Sequence, residues 1–196
     1  MINRRHLGDD IPLQDRDLFQ RLNAYFDSLD SRLRLGEGWL IFNASGTRAA
    51  RINQFLMYRM QLLRPLVTYQ FMPWRDFSLT AYMVQVELKS IEQEKPLTGR
   101  AKQELDIATR VSRQSMVGAV TTDLLVLSGL RPQHPHEVAY LEDTINHRRR
   151  GRLPTIILTP DQPHELAEDI TRHSEFGEES WQRLSTVLYE SSLLAM

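Results

Sequence analysis

The 196-residue chain has the length of a single domain, and its 41% apolar and 25% charged residues are ordinary for a globular protein. A formal net charge of −1 excludes a global basic field for nucleic acid, so any such site must be local. The lack of cysteine excludes disulfides, zinc–cysteine sites and thiol nucleophiles, and without a membrane span or signal peptide we expect a cytoplasmic protein.

The first half of the chain alternates between predicted helices and predicted strands. Residues 1–14 are predicted to form a polar arm, and residues 15–196 are predicted to form a single domain. The spacing of apolar residues predicts, in order, a helix over about 15–33, a strand at 39–42, a helix at 48–63, a strand at 66–71 and a helix from about 77 with Leu79 on its inner face.

The second half continues the same alternation. The predicted elements are a helix over about 100–116, a strand at 121–127, a helix from 135 to the basic segment 147–152, a strand at 155–159, a helix from 163, and a fifth strand at 186–189. Strands separated by helices predict an α/β fold, a doubly wound parallel five-stranded sheet with right-handed crossovers.

The segment between the first predicted strand and its helix has the order of a phosphate-binding loop. Strand, tight loop and helix N-terminus attract anions, and the expected pattern is G-x-x-x-x-G-K-[ST]. Ala49 replaces the lysine that would reach the phosphates, and Ala50 replaces the hydroxyl that would hold Mg²⁺. The degenerate loop positions are Asn43, Ser45, Gly46, Thr47, Arg48, Ala49 and Ala50. An ordinary β-to-α turn remains open, as does residual nucleotide binding in which Arg48 touches a phosphate.

From about residue 15 to the end, the chain resembles the AAA+ P-loop ATPases of the bacterial helicase-loader and insertion-sequence transposition-helper group. The matching pieces are Gly38–Phe42 with its loop, Asp123–Leu130, the helix ending in Arg148–Arg150, Leu153–Thr159, and Gln182–Leu184. The resemblance implies a P-loop NTPase, AAA+-like fold without a helical lid domain, for which too little chain follows.

The same resemblance implies which site residues are changed. The metal-binding Asp falls at Ser128 and the catalytic acid at Gly129, so both carboxylates are missing. Thr159 falls at the sensor position, and Arg183 falls at the arginine-finger position. Because electrostatic stabilisation supplies nearly all of the catalysis in such sites, these losses predict a pseudo-ATPase with no catalytic residue, no cofactor and no metal.

The strongest local basic segment ends the helix that begins at residue 135. It contains Arg148, Arg149, Arg150 and Arg152. Basic residues at a helix C-terminus offset the helix dipole, and the same residues are candidates for contact with DNA phosphates or with another subunit.

The sequence therefore predicts a non-catalytic AAA+-like module that docks onto protein partners, homologous AAA+ subunits among them, in an oligomeric DNA-processing complex of the transposition or replication type. In such a complex, Arg183 would serve a neighbour's nucleotide in trans. The alternatives are an atypical ATPase that still binds ATP or ADP, and a non-sequence-specific DNA-binding protein that uses residues 147–152. No membrane partner is expected.

Overall fold

The structure is a computed structural model that describes residues 12–63, 66–83, 110–111 and 114–196. Its sheet is built from β1 (Gly38–Ile41), β2 (Tyr69–Pro73), β3 (Leu124–Ser128), β4 (Thr155–Leu158) and β5 (Ser192–Ala195). Its helices are α1 (Leu13–Asp27), α2 (Leu29–Leu35), α3 (Gly46–Leu63), α4 (Trp74–Tyr82), α5 (114–121), α6 (Pro135–Arg150), α7 (Pro163–Arg172) and α8 (Glu178–Ser191).

All strand pairs of the sheet are parallel, and the strand order is β2-β3-β4-β1-β5. This confirms the predicted doubly wound, five-stranded α/β sheet. The register pairs Leu158 with Ile41 on one side and with Ser128 on the other. The loops that follow β1, β3 and β4 therefore meet at one edge of the sheet, where such folds bind ligands.

Each face of the sheet is covered by its own hydrophobic core, as parallel sheets require. On one face, residues such as Leu40, Leu127 and Ile157 pack with α4, α6, α7 and α8. On the other face, Trp39 and Ile156 pack with α1 and α3. Continuous burial along β1 and β4 explains why their apolar runs were recognisable as strands.

Five predicted elements are confirmed nearly at their predicted bounds: the first strand, the helix at 48–63, the helix from Pro135, the strand at 155–159 and the helix from Pro163. The predicted N-terminal helix is interrupted at Ser28, whose hydroxyl donates to the carbonyl oxygen of Ala24 and whose backbone leaves helical geometry. It begins at Leu13, and residues 1–11 lie outside the described residues. Its second part, α2, ends at Gly36 with φ +70°.

The predicted second strand starts too early. The amides of Leu66 and Val67 both donate to the carbonyl oxygen of Leu63, so the chain is still turning away from α3, and Leu66 is 88% exposed. The strand begins at Tyr69. Pro73 ends the strand and is the N-cap of α4, which starts at Trp74 rather than near residue 77.

Two further expectations about α4 and the terminal strand are wrong. Leu79 is 62% exposed, because Phe77 and Ala81 occupy the inner face of α4. Residues 186–189 belong to α8, where Val187 and Leu188 pack in the core at helical spacing, and the terminal strand begins at Ser192.

The region before β3 is also corrected. The helix expected to stop at residue 116 runs to 121, so β3 begins at Leu124 rather than at residue 121, and it extends to Ser128. Most of the predicted helix over 100–116 lies outside the described residues. Among the described residues, no helix has the combined length and apolarity that a bilayer crossing needs.

Candidate functional site at the carboxyl edge of the sheet

The backbone amides of the loop after β1 are engaged by the protein itself. Each of four consecutive N–H groups donates to a protein carbonyl oxygen: Phe42 to Ala195 at 2.9 Å, Asn43 to Asp161 at 3.1 Å, Ala44 to Thr159 at 2.8 Å, and Ser45 to Asn43 at 3.0 Å. In a phosphate-binding loop, such amides point at the ligand. Here the chain just beyond β4 and the last residue of β5 supply the acceptors for Phe42, Asn43 and Ala44.

The loop is short and has a defined backbone conformation. Asn43 has φ +54° and Gly46 has φ +50°, in the left-handed region that asparagine and glycine tolerate best. The helix begins at Gly46, so Thr47 and Ala49 already lie in its first turns, and Ser45, Thr47 and Ala50 are exposed. The strand–loop–helix order predicted from the sequence is confirmed, with a helix that starts two residues earlier than expected.

Arg48 directs its hydrogen bonds into the protein. Its Nε donates to Asp15 Oδ1 at 2.9 Å, and its Nη1 donates to the carbonyl oxygens of Phe42 at 2.9 Å and Asn43 at 3.1 Å. Its Nη2 donates to the main-chain oxygen of Met196 at 2.7 Å. The side chain is only 15% exposed, so it stabilises the loop from the protein interior rather than from the solvent side.

The end of β3 carries a neutral pair in place of a carboxylate. Ser128 Oγ donates to Asn53 Oδ1 of α3 at 2.9 Å. Gly129 follows with φ +83°, and its amide donates to the carbonyl oxygen of Leu158 at 2.9 Å. Hydroxyl and amide oxygens without a carboxylate provide little charge for holding Mg²⁺.

Asp161 is a buried acid at this edge that the sequence analysis missed. It is 5% exposed, its amide donates to the Oγ1 of Thr159 at 3.1 Å, and the Nε of Arg131 lies 3.6 Å from its Oδ1. Burial raises the pKa of Asp161 above its ordinary value, against the opposing effect of Arg131. The sequence signal that could have revealed Asp161 was its position two residues after the predicted strand at 155–159, where side chains lie at the carboxyl edge of the sheet. Thr159, the predicted sensor residue, is fully buried here.

Arg183 lies on α8. Its side chain contacts α6, its own helix and the turn that precedes α8. Its Nη1 donates to Glu179 Oε1 at 2.9 Å, and its Nη2 lies 3.7 Å from Glu142 Oε2. Its guanidinium also lies over the ring of Phe176, 5.1 Å from the centroid. The side chain is still 46% exposed, so a neighbouring molecule has access to it.

The basic segment lies at the opposite, amino edge of the sheet, and Arg148 is not part of its surface. Arg148 is 1% exposed and hydrogen-bonds to buried backbone and to Thr155, so the expectation that it contacts nucleic acid or a partner is wrong. Arg149 pairs with Glu190, while Arg150 and Arg152 are exposed. In the part of the chain that the structure describes, no group of three His, Cys, Asp or Glu residues is placed to hold a metal.

Comparisons with known proteins identify the fold. No family model and no curated protein matches the chain. Among solved structures, the crystal structure of the DnaC helicase loader is similar, with a TM-score of 0.61 and 12% sequence identity over 94% of this chain and 90% of that chain. The chain therefore shares the fold of that structure, in agreement with the doubly wound parallel α/β fold that the sequence predicted.

Proposed function

We propose that the chain is a catalytically inactive AAA+-like module that acts as a protein-interaction and assembly subunit in a DNA-processing complex, of the replication type that a helicase-loader-like fold favours. The single observation that carries the proposal is the engagement of the loop amides from Phe42 to Ser45 by protein carbonyl oxygens. A nucleotide would have to break those bonds before it could use the same four amides.

The magnitude of the losses supports inactivity. The positions of the lysine, the Mg²⁺ hydroxyl and both carboxylates hold Ala49, Ala50, Ser128 and Gly129. Loss of one group that stabilises the transition state costs on the order of 10²-fold in rate. Four such losses remove the electrostatic stabilisation on which phosphoryl transfer depends.

An exposed apolar surface on α3 supports a role in protein interaction. Met57, Tyr58 and Leu62 are exposed on α3, and Leu66 is exposed just beyond its end. Large apolar side chains that are exposed together are typical of protein interfaces. The proposed module would therefore offer partners a surface at the C-terminal end of α3, at the opposite end of that helix from the loop.

The first test is isothermal calorimetry of the chain with Mg·ATP and Mg·ADP, with an ATPase assay in parallel. We expect neither binding nor turnover. A double variant, Ala49→Lys with Ala50→Thr, sharpens the test of nucleotide binding, because it restores the two missing side chains of the loop and leaves the amides of Phe42 to Ser45 engaged. We expect the double variant to show neither nucleotide binding nor ATP turnover. Turnover by the unmodified chain would refute the proposal and favour the atypical ATPase.

The proposed role of Arg183 is to reach the nucleotide of a neighbouring AAA+ subunit. The test requires the partner recovered by affinity purification from the native host. We expect Arg183→Ala to lower the ATPase rate of that partner by about 10²-fold, as for other transition-state groups. Arg172→Ala is the matched control, since Arg172 is an exposed arginine on α7. Equal partner activity with both variants would remove this role.

A second candidate function, contact with a nucleic-acid backbone, is favoured by the backbone at Arg152. This residue has φ +53°, a conformation that costs a non-glycine residue about 1 kcal/mol. A Cβ on Gly36 would lie 3.0 Å from the Cα of Arg152, so α2 and α6 end side by side. Arg34, two residues before Gly36, and Arg150, two residues before Arg152, are both exposed. Strain at a charged surface residue points to a use for its side chain.

The test of this second candidate is fluorescence anisotropy with a duplex oligonucleotide at several salt concentrations. The test variant carries Arg34→Ser, Arg150→Ser and Arg152→Ser. We expect the slope of log affinity against log salt concentration to become shallower by about 0.9 for each lost phosphate contact. Arg75→Ser, which changes an exposed arginine on α4, is the control. An unchanged slope in the triple variant would exclude this face.

A further inference from the structure

Helix α4 and the start of α6 form the walls of an open groove with a volume of about 530 Å³. This volume lies within the range of about 300–1,000 Å³ that is typical of ligand sites. The lining residues are Arg75, Ser78, Leu79 and Tyr82 of α4, with His134 and His136 at the start of α6. None of these residues belongs to the loop after β1 or to the basic segment, so the groove is a separate feature of the surface.

The residues that α4 contributes to the groove form one face of that helix. They follow one another at positions i, i+3, i+4 and i+7, the spacing that aligns side chains along an α-helix. Phe77 and Ala81 lie on the inner face and are fully buried in the core. Leu79, in contrast, is 62% exposed, and Tyr82 is 38% exposed. Helix α4 therefore carries a second face with apolar side chains, and this face is open to solvent.

Hydrogen bonds below the groove hold its two walls together. Ser78 Oγ of α4 donates to Oε1 of Glu137 on α6. The other oxygen of this buried carboxylate accepts the amide of Gln133 at 2.6 Å and the amide of His134 at 3.2 Å. The imidazole rings of His134 and His136 are nearly parallel, with centroids 5.4 Å apart. The groove is thus formed without a ligand, as most binding sites are.

The charge of the groove limits what it can bind. Of its described lining residues, Arg75 is the only one with a permanent charge, and none is an acid. Burial lowers the pKa of His136 below its ordinary value of 6.5, so this imidazole is mainly neutral at pH 7. One guanidinium beside apolar side chains suits a single carboxylate, which the arginine fork binds in bidentate fashion. Affinity for a nucleic-acid backbone, in contrast, requires a cation for each neutralised phosphate.

We propose that this groove docks a short acidic segment of a protein partner, in which an aromatic or large apolar side chain adjoins an aspartate or glutamate. The apolar side chain packs against Leu79 and Tyr82, and the carboxylate pairs with Arg75. The proposal rests on the proposed role of the chain in protein interaction, and it assigns one surface and one kind of partner segment to that role.

The test is an NMR titration of the isotopically labelled chain with two blocked tetrapeptides, Gly-Phe-Asp-Gly and Gly-Phe-Asn-Gly. The readout is the shift of the amide signals of α4 and of the start of α6. We expect the aspartate peptide to bind about fivefold more tightly than the asparagine peptide, which is the upper range for an exposed ion pair. Arg75→Gln should remove this difference. Arg172→Gln, which changes an exposed arginine on α7, should retain it.

Three results would each overturn the proposal. The first is equal affinity of the unmodified chain for the two peptides. The second is a difference between the peptides that survives Arg75→Gln. The third is the lack of any shift of these amide signals with millimolar peptide.

A second pair of variants tests the apolar half of the groove. Leu79→Ser should weaken the binding of both peptides about fivefold, because it removes apolar surface that the phenylalanine would cover. Leu62→Ser is the matched control, since Leu62 lies on α3 and is also 62% exposed. It should leave both affinities unchanged. Equal peptide affinities in the two variants would overturn the proposal.

A short single-stranded oligonucleotide, titrated in the same way, tests the other class of partner. We expect it to bind more weakly than the aspartate peptide. Shifts of the same signals with a higher affinity than that of the aspartate peptide would overturn the assignment to a protein segment. ATP turnover by the unmodified chain would refute the proposed function and leave the comparison between the two peptides unaffected.

Discussion

The replacement of Arg148 tests how the end of α6 is attached to the sheet. Its guanidinium donates to Thr155 Oγ1 at 2.9 Å and to three backbone carbonyl oxygens, those of Ala119 at 2.9 Å, Thr122 at 3.0 Å and Pro154 at 2.8 Å. One side chain thus joins α5, the turn before β3 and the start of β4. The variant Arg148→Met keeps most of the volume and removes every donor.

Two opposing effects set the magnitude for this variant. Each lost bond from a charged donor costs about 1.5 kcal/mol at the low end of its range, so the four together cost about 6 kcal/mol. Burial lowers the pKa of Arg148 to about 10, which shows that desolvation disfavours its charge, and methionine avoids that cost. We therefore expect Arg148→Met to lower the free energy of unfolding by about 3 kcal/mol, the low end of the range for breaking a buried charged network.

Urea denaturation at pH 7, followed by circular dichroism, measures this difference. Arg150→Met is the matched control, because Arg150 is exposed on the same helix end, and we expect its effect to stay within about 0.5 kcal/mol. A loss below about 1 kcal/mol for Arg148→Met would refute the reasoning. Equal losses for both variants would also refute it, since helix-dipole compensation would then explain both arginines.

Three further predictions concern stability, and each is measured by denaturation. Asp161→Asn should be more stable than the unmodified chain at pH 7: burial raises the pKa of Asp161, so the folded chain holds this proton more tightly, and that contribution is lost as pH rises through the folded pKa. The advantage should vanish below the ordinary value of 3.8, and an advantage that persists there would contradict this cause. Gly38→Ala should cost more than about 3 kcal/mol, because its Cβ would lie 1.9 Å from the carbonyl oxygen of Thr155, whereas Gly46→Ala, with open space at φ +50°, should cost about 1 kcal/mol. Arg152→Gly should add about 1 kcal/mol by relieving a φ of +53°, and a loss of stability would show that the side chain packs favourably.

The parts of the fold that were predictable from sequence are those in which burial leaves a pattern. The strands β1 and β4 are short apolar runs buried on both faces, and α7 places Leu166 and Ile170 inward behind Pro163. The fifth strand was misplaced because Val187 and Leu188 have the composition of a strand. Only their contact with the core at helical spacing shows that they belong to α8.

The candidate site was predictable in its side-chain losses and not in its hydrogen bonds. Ala49, Ala50, Ser128 and Gly129 can be compared with a motif position by position. The acceptors of the loop amides are backbone oxygens, which carry no sequence signal. Arg148 shows the same limit: next to two exposed arginines in the sequence, it differs from them only in the carbonyl oxygens that surround it.

The acceptors of the backbone amides explain how the loop after β1 keeps its conformation. Buried N–H groups must have acceptors, and in an active loop phosphate oxygens supply some of them. Here the carbonyl oxygens of Thr159, Asp161 and Ala195 supply them, and Arg48 holds the carbonyl oxygens on the other side of the same segment. These hydrogen bonds stabilise the loop from within the protein. We therefore expect that a lysine at position 49 and a hydroxyl at position 50 would not by themselves let a ligand use the amides of Asn43 and Ala44, because the oxygens of Asp161 and Thr159 would still have to be displaced.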